Sequence, residues 1–447
     1  MLNRRRLLQG GAALAFAGLP RLAFAQQQSA VPIVFVHGDS DLAATWETQI
    51  WRFESNGYPP EKLFAISFTD PEARDDDTVP QPNRSSTQDQ LSELTAFIDG
   101  VKAKTGAPKV AIVALSRGGY ATREYAAANP GSVEKAALGG TPNHGVWATD
   151  YLLGSEYNGR GPFLKKLDAG ESEVPPGVPF LTLRSDGYDL YAQPDGAIVF
   201  HKPGMALNVT AEGPELKGAT NVLLGRVDHR GTALSPVAFA VIHRFITGRE
   251  PSRIAIVPEA EVVLNGRVTG VVAGTPTNRP VEGAKVEIYR VSADTGERLG
   301  APALSKTTGA DGVWGPATFD PTTALEFVVA APGAPVTHTY RSPLPRSFDK
   351  LDLRGGPVFP GKDDGDAAAV IRMDRPRGYF GLPRDVVLLD GKEPADIPHG
   401  VPAAWHTTLR LPTFEDRPII GEFNQERIVA RPWPARQGHY TILELTG

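Results

Sequence analysis

Cysteine is absent from the 447 residues. That gap removes three possibilities together: a disulfide framework, a thiolate metal site and a thiol nucleophile. Clusters of positive charge are nearly as scarce. The formal net charge is -5, from 46 Lys and Arg against 51 Asp and Glu. No block of Lys or Arg recurs after the extreme N-terminus, so the electrostatic footprint of nucleic-acid binding is missing. Long apolar runs are lacking too. The apolar stretch near the start is interrupted by Gly18, Pro20 and Arg21 and is too short to span a bilayer, so no transmembrane segment is expected. What is present, 41% hydrophobic and 22% charged residues, suffices for sizeable buried cores and argues against disorder. The length predicts two or three domains.

Residues 1–25 read as an export signal. Asn3-Arg4-Arg5-Arg6-Leu7-Leu8 supplies a charged start, a Gly- and Ala-rich apolar stretch follows, and Ala23-Phe24-Ala25 fits a small-x-small cleavage site. The paired arginines ahead of two leucines resemble a twin-arginine signal. That resemblance implies a mature chain beginning near Gln26, exported already folded to the periplasm or the exterior.

Residues 26–249 alternate strand and helix signals. Val31–Val36, Leu63–Ser67, Val110–Leu115, Val133–Leu138, Pro179–Leu183 and Asn221–Leu224 are short apolar runs of strand length. Trp46, Ile50 and Phe53 recur at helical spacing, and Ser86 with Asp89 forms a capping box ahead of Leu91, Leu94, Ile98 and Val101. Such alternation predicts an α/β fold: a mostly parallel sheet with helices on both faces and the ligand site at the carboxyl ends of its strands. After about Gly248 the character changes to alternating segments such as Lys285–Val291, turn pairs such as Asp311-Gly312 and Asp390-Gly391, and frequent proline, which predict an all-β region. The expected division is a linker over 250–260, one β unit over 261–334 and a second over 335–447. From Val281–Tyr289 to Thr308–Trp314 the first unit resembles the transthyretin-like sandwich of carboxypeptidase regulatory domains.

One joint carries chemistry. The run Lys109–Leu115 stops at Ser116, and a helix-like stretch opens just behind it at Gly118-Gly119. Ala114-Leu115-Ser116-Arg117-Gly118 resembles the nucleophile elbow of the α/β-hydrolase superfamily, G-x-S-x-G, with alanine in the first glycine position as in small bacterial lipases. A serine there sits in a strained turn that lifts its hydroxyl above the sheet, and small neighbours let strand and helix pass closely. Over roughly 31–248 the chain resembles bacterial and archaeal lipases and esterases.

That resemblance implies the rest of the site. A serine hydroxyl needs an imidazole to take its proton and a carboxylate to orient the imidazole, in the chain order Ser, acid, His. His201, His229 and His243 follow Ser116 within this half. His243 lies in an apolar-periodic helix and His201 closes the apolar run Ala197–Phe200, whereas His229 lies in a loop between strand and helix and is the expected base. Of Asp186, Asp189 and Asp195, the spacing Asp189-x-x-x-Gln193-Pro194 resembles the acid loop of lipases and selects Asp189. Asp186, beside Gly187, reads as a turn-former, and Asp228 as a loop carboxylate. Val36-His37-Gly38-Asp39 matches the H-G-x motif, so the amides of Asp39 and Arg117 are expected to form the oxyanion hole, with His37 structural. Thr141-Pro-Asn-His-Gly145 resembles a lipase stretch found near the site, and 146–176 reads either as an ordinary excursion or as a cap over an acyl pocket.

The implied reaction is hydrolysis of carboxylic esters through an acyl-enzyme, on an ester or lipid substrate, with no cofactor and no metal. A family relative with a C-terminal β region used for lipid binding suggests the same, or surface binding, for the β region here. Asp363-Asp364-Gly365-Asp366 reads as a solvated acidic loop, since it lacks the spaced ligands of a calcium site. Alternatives sharing the serine machinery are a polyester depolymerase or an amidase. An alternative of another class is a non-catalytic exported binding or adhesion protein built on a hydrolase scaffold.

Overall fold

The computed structural model describes residues 30–201, 204–356 and 361–447. The expected export signal over 1–25 lies outside the described residues. Six parallel strands form one sheet: β1 (Ile33–Val36), β2 (Leu63–Ala65), β3 (Val110–Leu115), β4 (Val133–Gly139), β5 (Phe180–Ser185) and β6 (Thr220–Leu224), in the order β2-β1-β3-β4-β5-β6. β1 and β3 are wholly buried, which is why each reads as an unbroken apolar run rather than an alternating one. The helices α1 (Glu47–Ser55), α2 (Thr87–Thr105), α3 (Gly118–Ala128), α4 (Pro162–Leu167), α5 (Ala197–Phe200), α6 (Gly231–Leu234) and α7 (Pro236–Thr247) accompany it. The Ser86 hydroxyl accepts from the Asp89 amide while the Asp89 carboxylate accepts from the Ser86 amide, so the capping box opens α2 as its residues require. Strand order reverses direction between β1 and β3, and a ligand crevice is expected at that point beyond the strand ends.

The second half is built of β-strands. Seven of them form a sheet in the order Leu304–Thr307, Lys285–Arg290, Leu325–Ala330, Val336–Arg341, His439–Glu444, Ala369–Asp374 and His406–Leu411. The division expected at 334/335 therefore falls between Leu325–Ala330 and Val336–Arg341, which are hydrogen-bonded antiparallel neighbours in that sheet. The turn residues between them, Pro332-Gly333, read as a boundary in sequence but form a hairpin.

The two halves share a core. Phe35, Trp46, Trp51 and Phe53 from the α/β half are in one buried apolar cluster with Val262, Leu264, Trp314, Phe327 and Phe348. Trp51 Nε1 donates to the Ser347 carbonyl at 3.0 Å, and its ring meets Phe348 edge-on. Arg341 and Glu47 form a buried pair at 2.8 Å, and Asn278 Nδ2 donates to the carbonyls of Asp41 (2.9 Å) and Phe68 (2.8 Å). The expected linker is not a free tether. Asn56 Nδ2, just past α1, donates to the Arg253 carbonyl at 2.9 Å, and the Val257 amide donates to Ser55 Oγ at 2.9 Å. Asp364 also departs from its reading as a solvated acid. It is buried, pairs with Arg410 at 2.8 Å and accepts from Tyr440, because a distant guanidinium supplies the counter-charge.

Candidate active site

β3 delivers Ser116 to the carboxyl edge of the sheet. Its φ is +51°, in the left-handed region that an L-residue enters at a cost on the order of 1–3 kcal/mol. The turn is fixed at both ends: the Ser116 amide donates to the Gly139 carbonyl at 2.8 Å, and Thr141 Oγ1 donates to the Ser116 carbonyl at 2.9 Å. Room for it comes from glycine. A Cβ on Gly118 would lie 2.4 Å from the His37 carbonyl oxygen, and one on Gly119 would lie 2.0 Å from Thr141 Oγ1. Ser116 is partly exposed within an otherwise buried run from Val110 to Thr122. The hydroxyl-bearing residue alone faces out.

His229 and Asp189 meet. Imidazole Nδ1 is 2.8 Å from Asp189 Oδ2 and 2.9 Å from Oδ1, and both side chains are nearly fully buried. The carboxylate is held in turn by the Tyr191 amide at 2.8 Å, and Gln193 Nε2 donates to the Asp189 carbonyl at 2.6 Å. The Tyr191 ring meets the imidazole edge-on with centroids 4.6 Å apart. The other candidates are elsewhere. Asp195 accepts from the Ala197 amide two residues on, a local turn role. Asp186 accepts from the Arg226 amide 40 positions away, tying the end of β5 to the loop after β6, while His243 bonds the Arg249 carbonyl just past α7. His201 lies just after α5.

Ser116 and His229 line one cavity of about 780 Å³ at the predicted edge of the sheet. Gly139-Gly140 lies between them: Gly139 accepts the Ser116 amide, and a Cβ on Gly140 would be 3.1 Å from His229 Cε1. On the β1 side, His37 is buried and its pKa is pushed down by burial to about 3. It is therefore a neutral spacer that bonds the Gly38 carbonyl through Nδ1 and accepts the Phe68 amide at Nε2. Gly38 packs so close that a Cβ there would be 3.1 Å from Ser116 Cβ. The Asp39 carboxylate is turned to the Ala73 amide at 2.8 Å, leaving the backbone of the Gly38-Asp39 turn beside Ser116. The Asp39 and Arg117 amides have no hydrogen-bond partner among the described residues.

Several residues at this site carry no signal in sequence. Arg117 was singled out for its amide, yet its guanidinium is fully buried and saturated. It forms a fork on Glu156 (2.6 and 2.8 Å) and donates to the Pro71 carbonyl, Ser85 Oγ and the Ser85 carbonyl. One side chain thus ties the elbow to two of the loops that wall the cavity. Arg230, next to His229, pairs with Asp41 at 2.8 Å. Burial pushes the Asp41 carboxyl up, against the pull of Arg230 and Arg354. The β region adds Pro276, Arg354, Pro376, Tyr379, Ala403 and Trp405 to the cavity wall. Nothing in a local pattern forecasts such partners; only a third-dimensional contact map holds them. The stretch 146–176 contributes Val146, Trp147, Tyr151, Leu152 and Tyr157, with Tyr151 71% exposed at the mouth.

Among the described residues His144, Asp168 and Glu173 are spaced closely enough to share a cation. Their carboxylates already carry protein counter-charges: Arg123 is 2.7 Å from Asp168 and Lys217 is 3.2 Å from Glu173. No helix among the described residues is long and apolar enough to cross a membrane.

Comparison with known proteins gives two family matches. Residues 30–149 match the family Lipase (class 2), and residues 260–356 match Lipase C-terminal domain. No curated protein matches the chain. Among solved structures, a Bacillus licheniformis lipase in mature form is similar at 22% identity, over 49% of this chain and 93% of that one, with a TM-score of 0.35. Its propeptide form is 19% identical over 68% and 72% of the two chains, also at 0.35. Aspergillus fumigatus lipase B is 16% identical over 51% and 55%, at 0.34. With a doubly covered parallel sheet followed by a β region, and with lipase family matches on both parts, the chain is a carboxylic ester hydrolase of α/β-hydrolase fold.

Proposed function

We propose that the enzyme cleaves carboxylic esters with Ser116 as nucleophile, His229 as general base and acid, and Asp189 as the group that orients the imidazole. The observation that carries this reading is the buried Asp189–His229 pair opening onto the same cavity as a serine held at positive φ. Asp189 fixes the tautomer in which Nδ1 bears hydrogen, which frees Nε2 to take the Ser116 proton. The alkoxide forms a bond to the ester carbonyl carbon, and negative charge develops on the carbonyl oxygen. The unpartnered amides of Asp39 and Arg117 are suited to receive it, and one such donor is worth about 3 kcal/mol of barrier in a comparable protease. His229 then returns the proton to the departing alcohol, and water repeats the route to release the acid.

The substrate side of the cavity combines Leu115, Val146, Trp147, Leu152, Leu190 and Val199, a lining that suits an acyl chain. Exposed Tyr151 and Leu152 on the cavity wall, with exposed Leu153 next in sequence, support contact with a lipid or other apolar surface. The N-terminal sequence supports export by a twin-arginine route. Hydrolysis of p-nitrophenyl esters of graded chain length, beside an anilide and a polyester film, tests the reading. Ester turnover that vanishes in Ser116→Ala supports it. Undiminished turnover in that variant rejects it.

A further inference from the structure

His229 sits between two charged residues, and one distant loop, residues 375–384 of the β region, holds both. On one side Asp228 is 2% exposed. Its carboxylate accepts from Arg375 Nη1 at 2.9 Å, Arg384 Nη1 at 3.1 Å and the Gly231 amide at 2.9 Å. On the other side Arg230 pairs with Asp41, donates to the Pro376 carbonyl and lies over the Tyr379 ring, 5.5 Å from its centroid. Tyr379 is hydrogen-bonded to Tyr191, the residue that packs edge-on against the His229 imidazole.

The gripping loop is itself tied down. Arg377 donates to the carbonyls of Leu445 (2.9 Å) and Thr446 (2.8 Å), Arg375 Nε to that of Gly447 (3.2 Å), and Arg384 pairs with Asp385 at 2.7 Å. The loop that carries the imidazole joins β6 to the short α6, with Arg226 at φ +57°. Its first part is tied to the end of β5 by Ser185 Oγ on the Val227 carbonyl (2.6 Å) and by the Arg226 amide on Asp186 (2.7 Å), and the arginines hold it at Asp228, next to the base. A connection of that kind is mobile unless something outside it holds it. Burial pushes the Asp228 carboxyl up, but Arg375 and Arg384, with the Gly231 and Tyr379 backbone, more than offset it, so Asp228 is held ionised. A buried anion with two fixed cations has one low-energy placement, and it fixes its neighbour in sequence.

We infer that Arg375 and Arg384 are positioning residues for the hydrolytic reaction: through Asp228 they set the loop that presents His229, so the β region completes the active site rather than hanging from it. This rests on the reading of His229 as the base. Misplacing a base by about 1 Å costs roughly 100-fold in rate, so the added hold at Asp228, the residue next to the base, matters beyond the ties at Val227 and Arg226.

The test uses the full chain and two opposed variants, Arg375→Met/Arg384→Met and Asp228→Asn. Hydrogen exchange of amides 226–234 reads the clamp, and the pH profile of kcat/KM on p-nitrophenyl butyrate reads its effect on the imidazole. Both variants are expected to speed exchange at 226–234 while amides 110–115 keep wild-type protection. Both lower kcat by roughly 10- to 100-fold with KM within about threefold. The pH profiles separate them. The charges facing the imidazole from its surroundings are Asp189, Asp41 and Arg230, with the phenols of Tyr191 and Tyr379, and these stay the same in both. Removing the arginines leaves the Asp228 anion uncompensated, which favours imidazolium and moves the acid limb to higher pH. Asp228→Asn leaves two cations uncompensated and moves it to lower pH. General loosening moves neither limb in opposite senses. Wild-type exchange at 226–234 with unchanged profiles overturns the inference, as does a uniform loss of protection that includes 110–115. If wild-type enzyme turns over esters without needing Ser116, the hydrolase reading falls, while the exchange data still decide whether the clamp exists.

Discussion

The loop carrying Ser116 and the loop carrying His229 are built in opposite ways. Ser116 is placed by its own neighbourhood: β3 runs into α3, Gly118 and Gly119 clear the way, and the anchors of the turn are the adjacent Gly139 and Thr141. Even the most distant hydrogen bond of Arg117, to the Pro71 carbonyl, spans 46 positions. His229 is flanked by Asp228, whose two arginine partners lie 147 and 156 positions away, in the β region. The difference teaches where a two-part site is vulnerable. The serine side depends on the local backbone, and the histidine side on the docking of a second half of the chain.

Removing the β region presses hardest on this contrast. Cutting after residue 260 strips Trp51 and Phe53 of their shared core and leaves Glu47, Asp41 and Asp228 without Arg341, Asn278 and the two clamp arginines. Residues 31–260 alone are expected to be insoluble or unfolded, checked by solubility and circular dichroism after expression. A soluble fragment with wild-type melting and turnover would show the halves to be separable. Next in size is Asp189→Asn, which keeps the shape but favours the wrong imidazole tautomer. It is expected to lower kcat by about 10³–10⁴-fold with little change in melting, read by steady-state kinetics and thermal unfolding.

On the serine side, Glu156→Ala leaves the Arg117 guanidinium buried without its carboxylate. The expected loss is about 3–5 kcal/mol in denaturant unfolding. A loss under about 1 kcal/mol would mean the elbow does not lean on the cavity wall. The smallest effect expected is at Asp374, next to the clamp. Burial raises its pKa to about 6, against the pull of Arg372. A carboxyl raised in the folded state favours folding while protonated, and that contribution is lost as pH rises from about 4 through about 6. Asp374→Asn should therefore stabilise the enzyme at pH 8, by an amount on the order of 1–3 kcal/mol at most, and change little at pH 4. Equal melting shifts at both pH values would contradict this.

Much of the α/β half was legible because its signals are local. All six sheet strands lie at apolar runs whose ends are within about two residues of the observed ones. The signal is clearest at β1 and β3, which are buried throughout and so continuously apolar, while the edge strand β6 is largely uncovered. The Ser86 cap and the serine joint follow from residue types a few positions apart, whereas Asp186, read as a turn-former, bonds the Arg226 amide 40 positions away. The β region was legible as β, but not the seven-stranded sheet that runs across the expected boundary, because a Pro-Gly hairpin and a boundary look alike until strands pair. Asp364 and Asp228 were misjudged or underused for a common reason: what settles a buried carboxylate is a guanidinium far along the chain.

The most direct measurement is covalent labelling with a fluorophosphonate followed by peptide mapping, on wild type and His229→Ala side by side. The account predicts a single modified residue, Ser116, and labelling slowed at least about 1,000-fold without the imidazole. Label on another serine, or equal rates in the two proteins, would contradict it.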